Sequence, residues 1–370
     1  MTKPHPKIRA GLIGCGDIAR NAYLPFLKDY RDQVEVTTCT DVRQPFAEDL
    51  ASGFGISTVA PTIEALLEDQ SIDLILNLTH PAAHASINYK ALEAGKHAYC
   101  EKPFALTREE GKAVLEKAKE KGLKVGCAPD TVLGTGTQSA RHLIEQGEIG
   151  KALFARCNLL SAGHEHWHSN PDFYYQEGGG PLLDMGPYYL STLIQCLGPI
   201  RSVQGRAMNG FTERTITSEP LNGKTIQVNT PTYYSGSLET VGGVLVDLEF
   251  SFDHKFRPGD PSCVEFHGTE GSLISPDPNG FEGEILINRE YPPKPYTAAQ
   301  QSHSYSGGRG LGLLDMVQAI TEDRGPRASG AIAYHVLDCI LAFHDSEESG
   351  TRITIDSSCE QPMPMAVNGL

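Results

Sequence analysis

Ala10-Gly11-Leu12-Ile13-Gly14-Cys15-Gly16-Asp17-Ile18-Ala19 decides how this chain is read. An apolar strand ends on two glycines, and a helical pattern follows as far as Leu27. Gly14 permits a tight strand-to-helix turn. Gly16 has no Cβ, so a phosphate group can approach its backbone closely. Ala19 is the third small residue, where helix and strand must pack tightly. A helix starting here aims unpaired N–H groups and the positive end of its dipole at an anion. Directly after the first strand, this Gly-x-Gly-x-x-Ala turn predicts a nucleotide site.

Outward from that turn, residues 7–128 alternate. Strands are expected at 8–13, 34–40, 58–60, 73–78, 97–100 and 124–127, and helices at 18–28, 45–53, 62–68, 81–94 and 107–121. Gly95 closes one helix, and Thr107 with Glu110 makes a capping box for another. Strand–helix alternation with short links requires a parallel sheet covered on both faces. The fold class predicted is α/β, with a doubly wound dinucleotide domain over 1–128 and a second domain over 129–370. Asp41 follows the second strand, about 25 residues beyond Gly16. A carboxylate there accepts hydrogen bonds from both adenosine ribose hydroxyls and repels a 2′-phosphate, which favours NAD over NADP. Arg43 lies close enough to blunt that preference.

The chain has 370 residues, more than one ordinary core accommodates, so two domains are expected. A net charge of −15 argues against a nucleic-acid groove or an anionic membrane surface as partner. The nine cysteines include no Cys-x-x-Cys pair and sit in apolar segments. They read as reduced core thiols of a cytoplasmic protein. Residues 1–6 are polar and Pro-rich with no apolar run behind them. No stretch approaches the roughly 20 apolar residues of a membrane helix.

Beyond 129 the pattern changes. A helix is expected at 138–145 and a strand at 153–160. Then comes His164-Glu165-His166-Trp167-His168, running on through Asp172-Phe173-Tyr174-Tyr175. Gly178-Gly179-Gly180 precede a helix at 181–197. Strands follow at 202–208, 224–228, 237–252, 263–267 and 284–287, an exposed loop at 288–310, and helices at 311–321 and 331–346. This is an α+β domain with one large, mainly antiparallel open sheet. Exposed flat sheets are usually covered, which predicts a homodimer or homotetramer through it.

Three groups carry candidate chemistry. Lys102, in Glu101-Lys102-Pro103, ends the fifth strand, at the edge where doubly wound sheets bind ligands. An ammonium there stabilises an alkoxide developing on a substrate hydroxyl. Asp184 and Tyr188 share one helix face, with Asp184 in the first turn, where the dipole favours a carboxylate. A phenol needs a nearby cation to act as a base near neutrality. His164, His166 and His168 would share a face on an extended chain, but no second Cys/His cluster completes a metal site, so no metal is expected. They read as hydrogen-bonding groups for a polyol, with Trp167 as a stacking plate.

These residues resemble the Gfo/Idh/MocA oxidoreductases, the group with glucose–fructose oxidoreductase and inositol dehydrogenase. Gly14 to Ala19 resembles the cofactor turn, and Thr79-His80-Pro81-Ala82-Ala83-His84 the family's Thr-Pro-x-x-x-His loop. Ala94-Gly95-Lys96-His97 through Glu101-Lys102-Pro103 is the most specific stretch, and Gly178 to Gly186 resembles the segment leading to the Asp-x-x-x-His site. The resemblance implies cofactor contacts at Gly14, Gly16, Asp17, Ile18, Asp41, Thr79, His84, Glu101 and Lys102. It makes Lys102 the catalytic lysine and Asp184 the residue that orients substrate. The family's usual His falls at Tyr188 and a frequent Asp at Ser191, so base duty shifts toward Lys102, His164 or His168. Lys102, Asp184, Tyr188 and His168 are the catalytic candidates. His164, Glu165, Trp167, His168, Asp184 and Tyr188 are the substrate-binding ones. The expected activity is NAD-dependent oxidation of a secondary alcohol of a sugar, glycoside or cyclitol. Two alternatives stand beside it: a glycoside hydrolase using transient oxidation, and a non-catalytic ligand sensor or partner subunit.

Overall fold

Strand β1 (Ile8–Ile13) buries five of its six residues, as a central parallel strand covered on both faces must. The computed structural model describes residues 7–256 and 262–370, so the polar 1–6 stretch lies outside the described residues. β1 pairs in parallel with β2 (Val34–Thr40) and β4 (Leu74–Asn77). The six-stranded order is β3 (Thr58–Val59), β2, β1, β4, β5 (His97–Cys100), β6 (Val125–Cys127). In this doubly wound order the chain reverses direction between β1 and β4, opening a crevice at the carboxyl ends of those strands.

A π-helical turn, Ala19–Tyr23, leads from the glycine turn into α1 (Leu24–Leu27). α2 (Gln44–Phe54), α3 (Ile63–Glu68), α4 (Pro81–Glu93) and α5 (Arg108–Lys121) follow. Thr62 caps α3 through Ala65 N–H at 3.1 Å, and the Thr107–Glu110 capping box forms at α5. Lys96, in the most family-specific stretch, is buried and its Nζ donates to Asp69 and Ile72 carbonyls at 2.6 and 3.0 Å. That ammonium has a structural task.

The chain divides into two units, one of 1–133, 306–334 and 362–370, the other of 134–305 and 335–361. Segments expected in the second domain therefore return to the first unit. The reason is apolar burial: helix Leu311–Thr321 places Leu313, Leu314, Met316 and Val317 in the same cluster as Leu12, Leu74 and Leu76.

In the second unit, α6 (Thr135–Glu145) precedes β7 (Ala152–Leu160) and α7 (Pro181–Leu197) follows it. The nine-stranded sheet runs β16 (Thr297–Ala298), β15 (Leu286–Asn288), β14 (Ser272–Ile274), β13 (Cys263–Gly268), β7, β12 (Leu245–Ser251), β11 (Tyr233–Thr240), β8 (Ile200–Met208), β17 (Ile353–Thr354). Among the described residues of this sheet, the β7–β12 pair is parallel and the other pairs are antiparallel. The single strand expected at 237–252 is instead the β11–β12 hairpin, because Gly243 adopts φ +82° and its N–H closes the turn on Thr240 O at 2.9 Å. The strand expected at 224–228 leaves the main sheet: β9 (Glu213–Thr215) and β10 (Thr225–Gln227) make a separate ribbon. The 288–310 loop is not wholly exposed, since His303 is buried and its backbone N–H donates to Ser139 Oγ at 3.2 Å.

α7 packs on this sheet. An open concavity of about 820 Å³ on the sheet is lined by polar residues that include Arg156, Asn158, Asp247, Glu249 and Glu265. Arg156 stands opposite both Asp247 and Glu265 in the strand register.

Candidate functional site

The glycine turn of the first unit has the shape its sequence demands. Gly14 has φ +97°, and a Cβ there would meet Leu78 O at 2.6 Å, so only glycine fits between the two strand ends. Nothing lies within 4 Å of a Cβ built on Gly16, which leaves space over the turn for a pyrophosphate. Asp17 and Ile18 are exposed beside it. Asp41 Oδ2 accepts from Cys15 N–H and Oδ1 from Arg43 N–H, both at 2.8 Å. A carboxylate has about four acceptor positions, so capacity remains for ribose hydroxyls. The Arg43 guanidinium stacks over Phe46 at 3.7 Å. These residues fit a dinucleotide.

At the carboxyl end of β4, Thr79 Oγ1 donates to Asn77 Oδ1 at 2.6 Å, and Asn77 Nδ2 donates to His84 O at 3.1 Å. The buried His84 ring places Nδ1 2.7 Å from Pro103 O and Nε2 3.0 Å from Thr79 O. It ties the β4 and β5 loops together. Burial pushes this imidazole below its ordinary pKa, against the pull of the two carbonyls. Glu101 accepts from Tyr23 Oη at 2.8 Å and from Lys102 N–H at 3.0 Å. Lys102 thus leaves β5 from a fixed backbone.

In the second unit, residues 164–168 form a turn rather than a strand. His168 N–H donates to His164 O at 3.0 Å, which places these two histidines one helical turn apart and leaves His166 exposed. The shared face expected for three histidines on an extended chain is not formed. Tyr174 gathers the other two: His164 stacks on it with centroids 3.7 Å apart, and His168 meets it edge-on at 5.3 Å. His164 Nε2 lies 3.6 Å from Asp184 Oδ2, within ion-pair reach if the ring is protonated. Gly180, φ +86°, starts α7, so Asp184 falls in its first turn. Tyr188 is buried one turn later. His168 Nδ1 accepts Asn170 N–H at 3.0 Å, so the neutral ring carries its proton on Nε2 and serves as a donor. Trp167 is 58% exposed.

Glu165, one of the substrate-binding candidates, is held by protein partners. It is buried; Arg214 Nη1 donates to Oε1 at 2.7 Å, Lys255 Nζ lies 3.4 Å from the same oxygen, and Tyr175 Oη donates to Oε2. Tyr175 Oη in turn accepts His164 N–H at 3.0 Å. Arg214, fully buried, also bonds Asp253, Phe252 O and Ala162 O. Burial alone would raise the Glu165 carboxyl, but hydrogen bonds from Tyr175 and Arg214 hold it below the usual carboxylate value. Sequence reasoning missed Arg214, Tyr175 and Asp253. The one signal was an Arg at the centre of a short β-prone stretch. Asp130, of Ala-Pro-Asp-Thr, was likewise unassigned; it accepts Gly310 N–H and Gly312 N–H at 2.7 and 3.3 Å, and burial pushes its carboxyl up to about 6.

Among the described residues no three His, Cys, Asp or Glu side chains converge as a metal site, and no helix is long and apolar enough to cross a membrane. All nine cysteines are free thiols.

Residues 8–128 match the model of an oxidoreductase family with an NAD-binding Rossmann fold, and 137–274 match the GFO/IDH/MocA C-terminal domain. D-Glucoside 3-dehydrogenase of Escherichia coli is 26% identical over 94% of this chain and 97% of its own length. 1,5-Anhydro-D-fructose reductase of Ensifer adhaerens is 27% identical over 72% of this chain and 75% of its own. The chain spans about half, 55%, of an uncharacterized oxidoreductase of Schizosaccharomyces pombe that is 27% identical. Levoglucosan dehydrogenase in complex with NADH and L-sorbose shares the fold, with TM-score 0.81, 21% identity, and 95% of this chain and 99% of that one covered.

Proposed function

Because this chain belongs to the GFO/IDH/MocA oxidoreductase family, with its NAD-binding Rossmann domain, we propose that it oxidises a secondary ring hydroxyl of a sugar or glycoside, using NAD. The observation that carries the reading is the His164–Asp184 pair at the head of α7, set among aromatic rings. Polar hydrogen-bonding groups beside apolar ring faces suit a saccharide. The names of two relatives, a glucoside dehydrogenase and an anhydrofructose reductase, support the same class.

NAD+, when bound, supplies the hydride acceptor. Gly16 admits its pyrophosphate, and Asp41 takes the adenosine ribose. Lys102 donates to the substrate hydroxyl oxygen and stabilises the developing alkoxide. On the second unit, Asp184 orients substrate, and the His164–Asp184 pair receives the proton released on oxidation. His168 donates through Nε2, and Tyr188 positions. The test is NADH formation, followed by absorbance, on a panel of sugars and glycosides. Steady NADH release supports the proposal; aglycone release without net NADH, or tight binding without turnover, overturns it.

Asp41→Ala should shift kcat/KM from NAD toward NADP by about tenfold, since a nearby charge is worth 1–2 kcal/mol at partly exposed sites. A wild-type enzyme using NADP equally well would contradict this role for Asp41. Free thiols fit a cytoplasmic enzyme. Exposed Phe154 and Leu245 stand opposite each other in register at one end of the open sheet, and such a patch favours association. We expect light scattering at micromolar concentration to give a dimer or tetramer of the 40.1 kDa chain; a single-chain mass would contradict sheet-mediated assembly.

A further inference from the structure

Five aromatic rings of the second unit form one connected series. It starts at His164, which is buried against Asp184. Tyr174 stacks on His164, and Phe173 lies 3.9 Å from Tyr174. His168 meets Phe173 edge-on at 5.7 Å and Trp167 edge-on at 5.3 Å. His164 is buried and Tyr174 and His168 are half-buried, while Phe173 and Trp167 are 46% and 58% exposed. Single exposed aromatics are ordinary, but here two large exposed rings both contact one histidine, and their apolar faces have a physical cost in water.

We propose that Trp167 and Phe173 form a second ring subsite, so that the substrate is a glycoside bearing another ring beside the one that reacts. This deepens the functional reading above and rests on it. Two features select such an occupant. First, a pyranose or an arene offers a flat apolar face that matches an indole or phenyl surface. A methyl aglycone covers little of it. Second, His168 stands edge-on to both exposed rings, and its Nδ1 is taken by Asn170 N–H. The neutral ring therefore keeps Nε2–H as a donor. Apolar walls with one oriented donor bind a neutral polyhydroxylated or aryl ring. They offer little to an anion. The continuity of the series with His164 and Asp184 places this surface next to the proposed reaction site.

The chain has one tryptophan, so its emission reports on this shelf directly. The experiment titrates the full-length protein, without cofactor, with cellobiose, phenyl β-glucoside, methyl β-glucoside and glucose. Saturable changes in emission are expected for ring-bearing glucosides, with at least about tenfold weaker responses for the other two. In turnover assays, Phe173→Ala should lower kcat/KM about tenfold more for the ring-bearing glucosides than for methyl glucoside. A response to cellobiose alone identifies the second ring as a sugar, and one to phenyl glucoside alone as an arene. Equal affinities for methyl and phenyl glucosides, with equal sensitivity to Phe173→Ala, overturn the subsite while leaving the oxidoreductase reading intact. Absence of NADH formation with every sugar overturns that reading instead, and the emission titration then still decides the subsite.

Discussion

Lys102→Ala should lose about 100-fold or more in turnover with NAD saturating, the usual scale for a lost acid–base or charge-stabilising group. The expectation follows from how the residue is mounted. Its backbone N–H is held by Glu101, which Tyr23 anchors, and His84 grips the carbonyl of Pro103 immediately after it. Such a mounting fixes the start of the side chain and leaves its ammonium as the variable removed. The substitution deletes the cation without touching those anchors, so calorimetry should find the variant folded and still binding NAD. Tyr188→Phe should cost less, because the proposed role of Tyr188 is to orient substrate, with charge stabilisation assigned to Lys102. Near-normal turnover in Lys102→Ala would contradict its role in stabilising the developing alkoxide.

Arg214→Met should destabilise the protein by about 3–5 kcal/mol, the range for breaking a buried ion pair from one side. The guanidinium is fully buried between Glu165 and Asp253, and methionine leaves two carboxylates in a dry site with less counter-charge. For a unit of this size that is a fall in Tm on the order of 10 °C. The pH dependence separates this cause from a packing defect. In the native protein the Glu165 carboxyl sits below its ordinary value, so its contribution is present above the unfolded pKa, about 4.3, and is lost as pH falls through the lower folded value. Without Arg214 the buried Glu165 is pushed the other way and binds a proton more readily than the unfolded chain does. The variant should therefore recover relative to wild type as pH is lowered from 8 toward 5. A Tm gap that stays constant over that range would contradict the electrostatic account.

The first unit was legible because its physics is local. A parallel strand buried on both faces is an unbroken apolar run, and each helix carries its cap in adjacent residues, as Thr107 and Glu110 do. The observed strand limits differ from those expected by two residues or fewer. The second unit resisted for the opposite reason. One apolar stretch, 237–252, hides a hairpin, because Gly242-Gly243 sits among residues that favour strands on both sides. Arg214 carries no motif; its partners Glu165 and Asp253 lie 49 and 39 positions away and become visible only when the chain is folded. The return of 306–334 to the first unit follows from four apolar side chains that any amphipathic helix would show. The His164–Asp184 pairing was half legible: both residues were singled out, but the turn that brings His164 and His168 onto Tyr174 depends on backbone hydrogen bonds that alternation in sequence does not reveal.

The most direct test of the account follows deuterium. A glucoside deuterated at its ring carbinol carbons is incubated with the enzyme and NAD+, and the NADH formed is weighed by mass spectrometry. The expected result is NADH heavier by one deuterium, accumulating with each turnover, and a keto-sugar product that has lost that label. Unlabelled nicotinamide, or deuterium retained in the sugar while an aglycone is released without net NADH, would contradict it.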